Sequence, residues 1–314
     1  MRIKPTSIVL LGLVFLAGFG AGMVLQRYVG AGNVLRSIGY AYPTRTPVPP
    51  TPRPTPMLSG DLISEDDRGN LALFILAGQS NMSGVGPVPV DAPGPLARVY
   101  LFGNDYRWHI AEEPVDNASG QVDEVSVDSG AGYSPAMAFA AALQAQDPDM
   151  RIGLIPCAKG SSSMSQWEPN LSDNNLYGSC IKRARAASTM GELAAILFFQ
   201  GESEAADPER NPELDPQPHN WAERFGQLVN ALRSDLGDED LPVVFAQIGP
   251  YETEAPIAAW EIIQEQQAMV DLPKVAMIET KDLDLQDALH FSAESYEVIG
   301  ERFAEAYLEL TRQR

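Results

Sequence analysis

Ser80 is the residue on which a reaction could be built. It follows the apolar run 71–77 and opens a turn rich in small and polar residues, Gly78-Gln79-Ser80-Asn81-Met82-Ser83-Gly84. A short apolar run that stops at a glycine reads as a strand buried on both faces of a parallel sheet, and open α/β sheets hold their ligands just beyond such strand ends. An ordinary turn serine would have the same neighbours, because Ser and Asn favour turns by bonding their own backbone. A serine nucleophile also needs a base. Of the histidines His109, His219 and His290, the last lies three residues after Asp287. An aspartate so placed can accept from imidazole Nδ1 and leave Nε2 to take a serine proton; the plainer alternative is a helix-start histidine beside a surface acid. Two more strand ends carry unusual polar groups. Ala158-Lys159-Gly160-Ser161-Ser162-Ser163 is built of small residues that can turn backbone N–H groups towards an anion. Gln200-Gly201-Glu202-Ser203 follows the apolar 196–199, where a polar strand cap with a solvated carboxylate is the simpler reading. Nucleophile, base, orienting acid and anion-holding amides are the parts of acyl transfer from an ester. The elbow pattern Gly-x-Ser-x-Gly of ordinary α/β-hydrolases is not met, since Met82 stands at its last glycine.

Alternating elements must position these groups. Strands are predicted at 71–77, 151–156, 193–199, 242–248 and 274–278, and helices at 134–146, 179–190, 221–236, 256–270 and 292–311. The helix at 134–146 starts with a capping Ser134 and a Pro135 at its first position. The stretch 85–133, punctuated by prolines and acids, reads as loop. Strands alternating with helices imply a largely parallel sheet covered on both faces, with the polar groups clustered at the strands' carboxyl ends.

Taken in order, these segments resemble the SGNH-hydrolase superfamily, and within it the branch of sialate O-acetylesterase-like and plant-type carbohydrate acetylesterases. The resemblance runs from Gly78-Gln79-Ser80-Asn81-Met82 with Gly84, through Gln200-Gly201-Glu202, to Asp287-x-x-His290. Trp108-His109-Ile110-Ala111-Glu112-Glu113-Pro114 is similar to the family's Trp-x-x-Ala-x-Glu-Pro segment. The resemblance implies an α/β fold, a three-layer α/β/α sandwich with a mainly parallel five-stranded flavodoxin-like sheet, and a serine esterase that removes O-acetyl groups from carbohydrate without a metal or other cofactor. Ser80 would be the nucleophile, His290 the general base and then acid, and Asp287 the group that orients His290. The oxyanion would be held by the backbone N–H of Ser80, a backbone N–H near Gly160 and the side-chain amide of Gln200. Gln79, Asn81, Gly201 and Glu202 would support the site, Glu202 by orienting loop groups rather than by moving protons.

The chain departs from the pattern in two places. Where the family has Gly-Gly-Thr or Gly-Gly-Ser, this chain has Gly160-Ser161-Ser162, so a side chain narrows that approach. An arginine common before the family's late glutamine is Gln264 here, ahead of Gln267, which removes a substrate-facing cation unless Lys159 replaces it. Two other functions fit the same motifs: a glycan-binding protein that kept the fold without turnover, and a lipase or thioesterase acting on longer acyl chains.

Charge divides the chain. The first 60 residues carry Arg2, Lys4, Arg27, Arg36, Arg45 and Arg53 and no acid, while the remainder holds all 42 acids and 16 basic residues, so that +6 stands against −26. The uncharged run 8–25 behind Arg2 and Lys4 is at the short end of what spans a bilayer and longer than a usual signal core. Residues 1–30 are therefore expected to be a single-pass membrane anchor, with a cleaved signal and secretion as the alternative. The Pro/Thr tract 43–56 cannot form a core and tends to polyproline II, which makes 31–60 a stalk and 61–314 the esterase domain, outside the cytoplasm. Such an acidic domain does not suit nucleic acid. Cys157 and Cys180 are the two cysteines, and spacing leaves open whether they form a disulfide or stay free.

Overall fold

The computed structural model describes residues 62–211, 216–252, 255 and 257–312. The segments read as anchor or signal, 1–30, and as stalk, 31–60, lie outside them. β1 (Leu71–Gly78) is apolar and buried along nearly its whole length, as a strand covered on both faces must be. It occupies the middle of a seven-stranded sheet with order β3-β2-β4-β1-β5-β6-β7. The others are β2 (Val99–Phe102), β3 (Trp108–Ile110), β4 (Ile152–Pro156), β5 (Gly191–Phe199), β6 (Val243–Ala246) and β7 (Val275–Ile278). All neighbours are parallel except β2 and β3.

The five expected strands are present in flavodoxin-like order, and the count is corrected to seven. β2 and β3 fall in the stretch read as loop. They have four and three residues, too few for a periodicity to stand out among the surrounding turn residues, and antiparallel pairing of Tyr100 with Ile110 and Phe102 with Trp108 defines them.

Helices cover both faces: α1 (Ser80–Ser83), α2 (Ala136–Gln146), α3 (Leu176–Ala187), α4 (Trp221–Leu236), α5 (Trp260–Ala268) and α6 (Ala293–Arg312). On one side Phe74 of β1 meets Phe139 of α2 and Tyr307 of α6 edge-on. On the other, Phe198 and Phe245 close on Phe225 of α4, which stacks on Trp221. Adjacent Phe198 and Phe199 point to opposite layers, and Phe199 meets Phe291. α3 begins three residues earlier than expected because Asn175 caps it, its side chain accepting from the Tyr177 N–H at 2.9 Å. α5 is shorter than the predicted 256–270, and Pro256 lies outside the described residues.

α3 also fastens the end of β4. Cys180 is disulfide-bonded to Cys157, which closes the alternative left open by spacing. One turn on, Arg183 is fully buried and donates to Pro156 O, Asn104 Oδ1, Asp123 Oδ2 and Ser126 Oγ. Through its two terminal nitrogens this buried guanidinium ties the loop 104–126 to the carboxyl end of the sheet.

Glu113 is a titrating weak point in that loop. It accepts from Ser134 Oγ at 2.8 Å and from the Val115 N–H at 3.1 Å, yet burial outweighs these bonds and lifts its carboxyl from 4.5 to about 7. A carboxyl raised in the folded state holds its proton longer than in the unfolded chain. Its contribution to stability is therefore complete below pH 4.5 and lost as pH rises to about 7, a loss of at most about 3 kcal/mol. Glu113→Gln is expected to flatten this part of the curve of unfolding midpoint against pH, and to melt higher than the parent at pH 8.

Candidate active site

Strand register assembles the site. Gly78 lies opposite Phe199 and Leu76 opposite Pro156, so the chain leaves β1, β4 and β5 side by side, at the switch point where β4 and β5 flank β1. Gly78 has φ +124°, and a Cβ there would come within 2.1 Å of Phe199 O; only glycine lets β1 turn this close to β5. The turn continues as Gln79 N–H donates to Phe199 O and α1 begins, with Ser80 half-buried at its first position.

His290 arrives from the loop before α6. Its Nε2 is 3.0 Å from Ser80 Oγ, and its Nδ1 is 2.8 Å from Asp287 Oδ2 and 3.0 Å from Oδ1. A carboxylate at Nδ1 fixes the proton there and presents the Nε2 lone pair to the serine hydroxyl. The N–H groups of Leu289 and His290 also donate to Asp287 Oδ1, at 3.0 and 2.9 Å. Partial burial pushes the Asp287 carboxyl up, but those two amides and the imidazole outweigh it, and its pKa lies below the ordinary carboxylate value.

Asn81 locks the serine turn to the histidine loop. Its Nδ2 donates to Glu202 Oε1 at 2.5 Å and to Leu289 O at 3.1 Å, while its Oδ1 accepts from Tyr296 Oη at 2.9 Å. Gln79 adds a link to the third strand end, its Oε1 accepting from the Ser203 N–H at 3.3 Å. Glu202 is buried, and its Oε2 has no hydrogen-bond partner among the described residues. Burial raises its pKa against the pull of Asn81 and His290. Its contacts are those of a brace. Asn81→Ala is expected to lower kcat about 10- to 100-fold by letting His290 drift from Ser80. Stability should fall with it by about 1–3 kcal/mol, because Glu202 loses its donor. Steady-state kinetics beside thermal unfolding check both.

These groups occur in a chain whose residues 70–309 match the family model described as carbohydrate esterase, sialic acid-specific acetylesterase. The chain belongs to this carbohydrate-esterase family. The esterase is 30% identical over 259 residues to a protein of Arabidopsis thaliana named "Probable carbohydrate esterase", covering 75% of this chain and 90% of the relative. An X-ray structure of the Arabidopsis protein superposes with a TM-score of 0.64 at 28% identity, over 76% of this chain and 98% of that one. Two solved structures at 18% identity share the fold. NanS matches with a TM-score of 0.59 over 79% of this chain and 99% of its own, and a carbohydrate acetylesterase from Xanthomonas citri with 0.57 over 77% and 57%. A carboxylic ester hydrolase of α/β architecture is what the family and the fold establish.

The esterase does not present all three expected oxyanion donors. The Ser80 N–H has no acceptor among the described residues. Gln200 is the first correction. It is fully buried, its Oε1 accepts from Trp221 Nε1 at 2.9 Å, and its Nε2 donates to Ser162 O at 3.2 Å and to Glu204 Oε2. An indole N–H can only donate, so Trp221 fixes which way the amide faces, and a buried carboxylate draws its hydrogens inward. Gln200 is a peg under the loop; Gln267 Nε2 holds its carbonyl at 3.1 Å, beside Gly201. Gly160 is the second correction. Its N–H points at Asp128 Oδ2, 2.6 Å away, and is capped.

Both departures from the family pattern have a structural counterpart. Ser161 sits at φ +58°, the left-handed region that favours glycine, where the family has its second glycine. Gln264 spends its amide on Ile248 O and Gly249 O, and Lys159 Nζ donates to Val127 O. Asp128, Glu204, Arg183 and Tyr296 escaped sequence reasoning. No motif marks them, and what makes them matter is contact with residues 32 to 215 positions away.

Proposed function

We propose that this family member is a serine esterase that removes O-acetyl groups from carbohydrate through an acetyl-enzyme on Ser80. The relay from Ser80 Oγ through His290 to Asp287, with separations of 3.0 and 2.8 Å, carries the reading. In the first half-reaction His290 Nε2 takes the Ser80 proton as Oγ attacks the acetyl carbonyl. Asp287 stabilises the imidazolium, and the imidazolium returns the proton to the departing sugar oxygen. Water then attacks the acetyl-serine with His290 again as base, releasing acetate. The Ser80 N–H, which has no acceptor among the described residues, would take the oxyanion. The acetyl specificity is supported by the family description, and the carbohydrate carrier also by the Arabidopsis relative named "Probable carbohydrate esterase". Acetate release measured across a panel of O-acetylated polysaccharides and glycosides tests the proposal. Turnover of butyryl and octanoyl esters faster than acetyl esters would replace it with a lipase-like reading.

We further propose that residues 1–30 anchor the esterase in a membrane with the catalytic domain outside the cytoplasm. The uncharged run behind a short basic head supports this, as does the Cys157–Cys180 disulfide, a bond that persists in oxidising compartments. A chain that remains with membranes after alkaline extraction, with its N-terminus intact by mass spectrometry, is the expected result; a soluble, shortened chain means a cleaved signal.

A further inference from the structure

Asp128 stands against the N–H that the loop beyond β4 is expected to turn towards the oxyanion. The Gly160 N–H, beyond β4 and beside the Ser80 turn, donates to Asp128 Oδ2 at 2.6 Å. Ser83 Oγ, one turn after Ser80, lies 3.2 Å from the same oxygen, and the Gly130 N–H donates to Oδ1 at 3.0 Å. A carboxylate in that place opposes negative charge developing on an acetyl carbonyl oxygen. It also keeps acceptor capacity, since an ionised carboxylate offers about four lone-pair sites and these contacts use three.

The cap sits on a short segment held at both ends. Upstream, Ser126 is buried and held by Arg183; downstream, the Gly132 N–H donates to Gly84 O at 2.9 Å. Between these anchors Val127, Ser129 and Gly130 are exposed, and the ties to the loop beyond β4 are Asp128 on Gly160 and Lys159 on Val127 O. A segment of this kind can swing between two fixed points without disturbing the sheet. Of the cations whose contacts place them beside this segment, Arg183 is buried and paired with Asp123, and Lys159 donates to Val127 O.

Resting on the esterase reading above, we propose that Asp128 is the specificity-determining residue of this site. It caps the Gly160 N–H until a hydroxyl of a neutral sugar, next to the acetyl group, donates to it and draws it aside; its charge turns away carriers that bear a carboxylate. The favoured substrate class is then neutral acetylated sugars, in contrast to the sialic acid of the family's description.

The test uses the full-length chain and three acetyl esters: 4-nitrophenyl acetate, a mono-O-acetylated neutral methyl glycoside and an O-acetylated sialic acid. The parent should show a kcat/KM for the glycoside about 10-fold or more above that for the sialic acid, a gap that narrows with added salt as the repulsion is screened. In Asp128→Ala the effects should have opposite signs. kcat on 4-nitrophenyl acetate rises several-fold because the Gly160 N–H is uncapped, while kcat/KM on the glycoside falls about 10-fold. Asp128→Ser, which keeps a small polar side chain, should give the same pair of changes if the alanine variant folds poorly by thermal melting. Proportional losses on all three esters, or a parent that takes the sialic ester as readily as the glycoside, would overturn the proposal and leave the esterase reading standing. Activity that survives Ser80→Ala would instead remove the reading on which it rests.

Discussion

Ser80→Ala removes about 10⁴- to 10⁶-fold of kcat on any acetyl ester and leaves the melting temperature nearly unchanged. The size of the loss follows from what the oxygen does. Without Oγ there is no atom to carry the acetyl group, and what remains is attack by solvent water with His290 as base and the backbone N–H at position 80. The stability expectation follows from what the oxygen touches. Ser80 is half-buried and the described hydrogen bond of its Oγ is to His290 Nε2. The turn itself is held by backbone: Met82 N–H and Ser83 N–H donate to Gln79 O, and Gly84 N–H to Ser80 O. Deleting a hydroxyl that braces nothing opens no cavity worth measuring. A variant that melts normally and still releases 4-nitrophenol at the parent's rate would show that the constellation is not the catalyst.

His290→Asn is expected to cost about 10⁴-fold, and its remaining activity should have a different pH dependence. The imidazole is the group within reach of Ser80 Oγ that can accept a proton, and its ring is set by Asp287 through Nδ1. An asparagine side chain is too short to span from Asp287 to Ser80 and has no basic nitrogen. Attack by serine then depends on solvent hydroxide, so the rate should climb with pH across the alkaline range instead of levelling off. The loop should survive the change. Leu289 O is held by Asn81, the His290 carbonyl accepts from the Gln286 N–H at 2.8 Å, and Leu285 bridges to Phe291. Folding intact by near-ultraviolet circular dichroism together with a flat loss at every pH would point to a role for His290 other than proton transfer.

The candidate reacting groups were legible because acyl transfer admits few residue types and the fold offers few places for them. A serine beyond a buried strand and an Asp-x-x-His before the last helix can be seen without coordinates, and the structure brings Ser80, His290 and Asp287 within hydrogen-bond reach of one another. Gln200 shows where that logic stops. A glutamine just past a strand looks the same whether its amide faces substrate or interior. Here the decision is made by Glu204, buried four residues on, and by an indole N–H from α4. Gly160 shows it again: its N–H is where small residues predict it, but a loop residue 32 positions earlier has claimed it. Five strands were readable from apolar runs, whereas β2 and β3 exist through pairing at the sheet edge, a tertiary fact with little local signal. The disulfide was undecidable from spacing because only the packing of α3 against the end of β4 brings Cys157 and Cys180 together.

Covalent labelling with a fluorophosphonate probe, followed by peptide mass spectrometry, shows whether Ser80 is the nucleophile. The probe reports a serine whose proton a neighbouring base removes, which is the property that the Ser80–His290–Asp287 geometry confers. Stoichiometric phosphonylation at Ser80, loss of acetate release in step with labelling, and no labelling in His290→Asn are the expected results. A chain that keeps hydrolysing acetylated glycosides while Ser80 stays unmodified would contradict it.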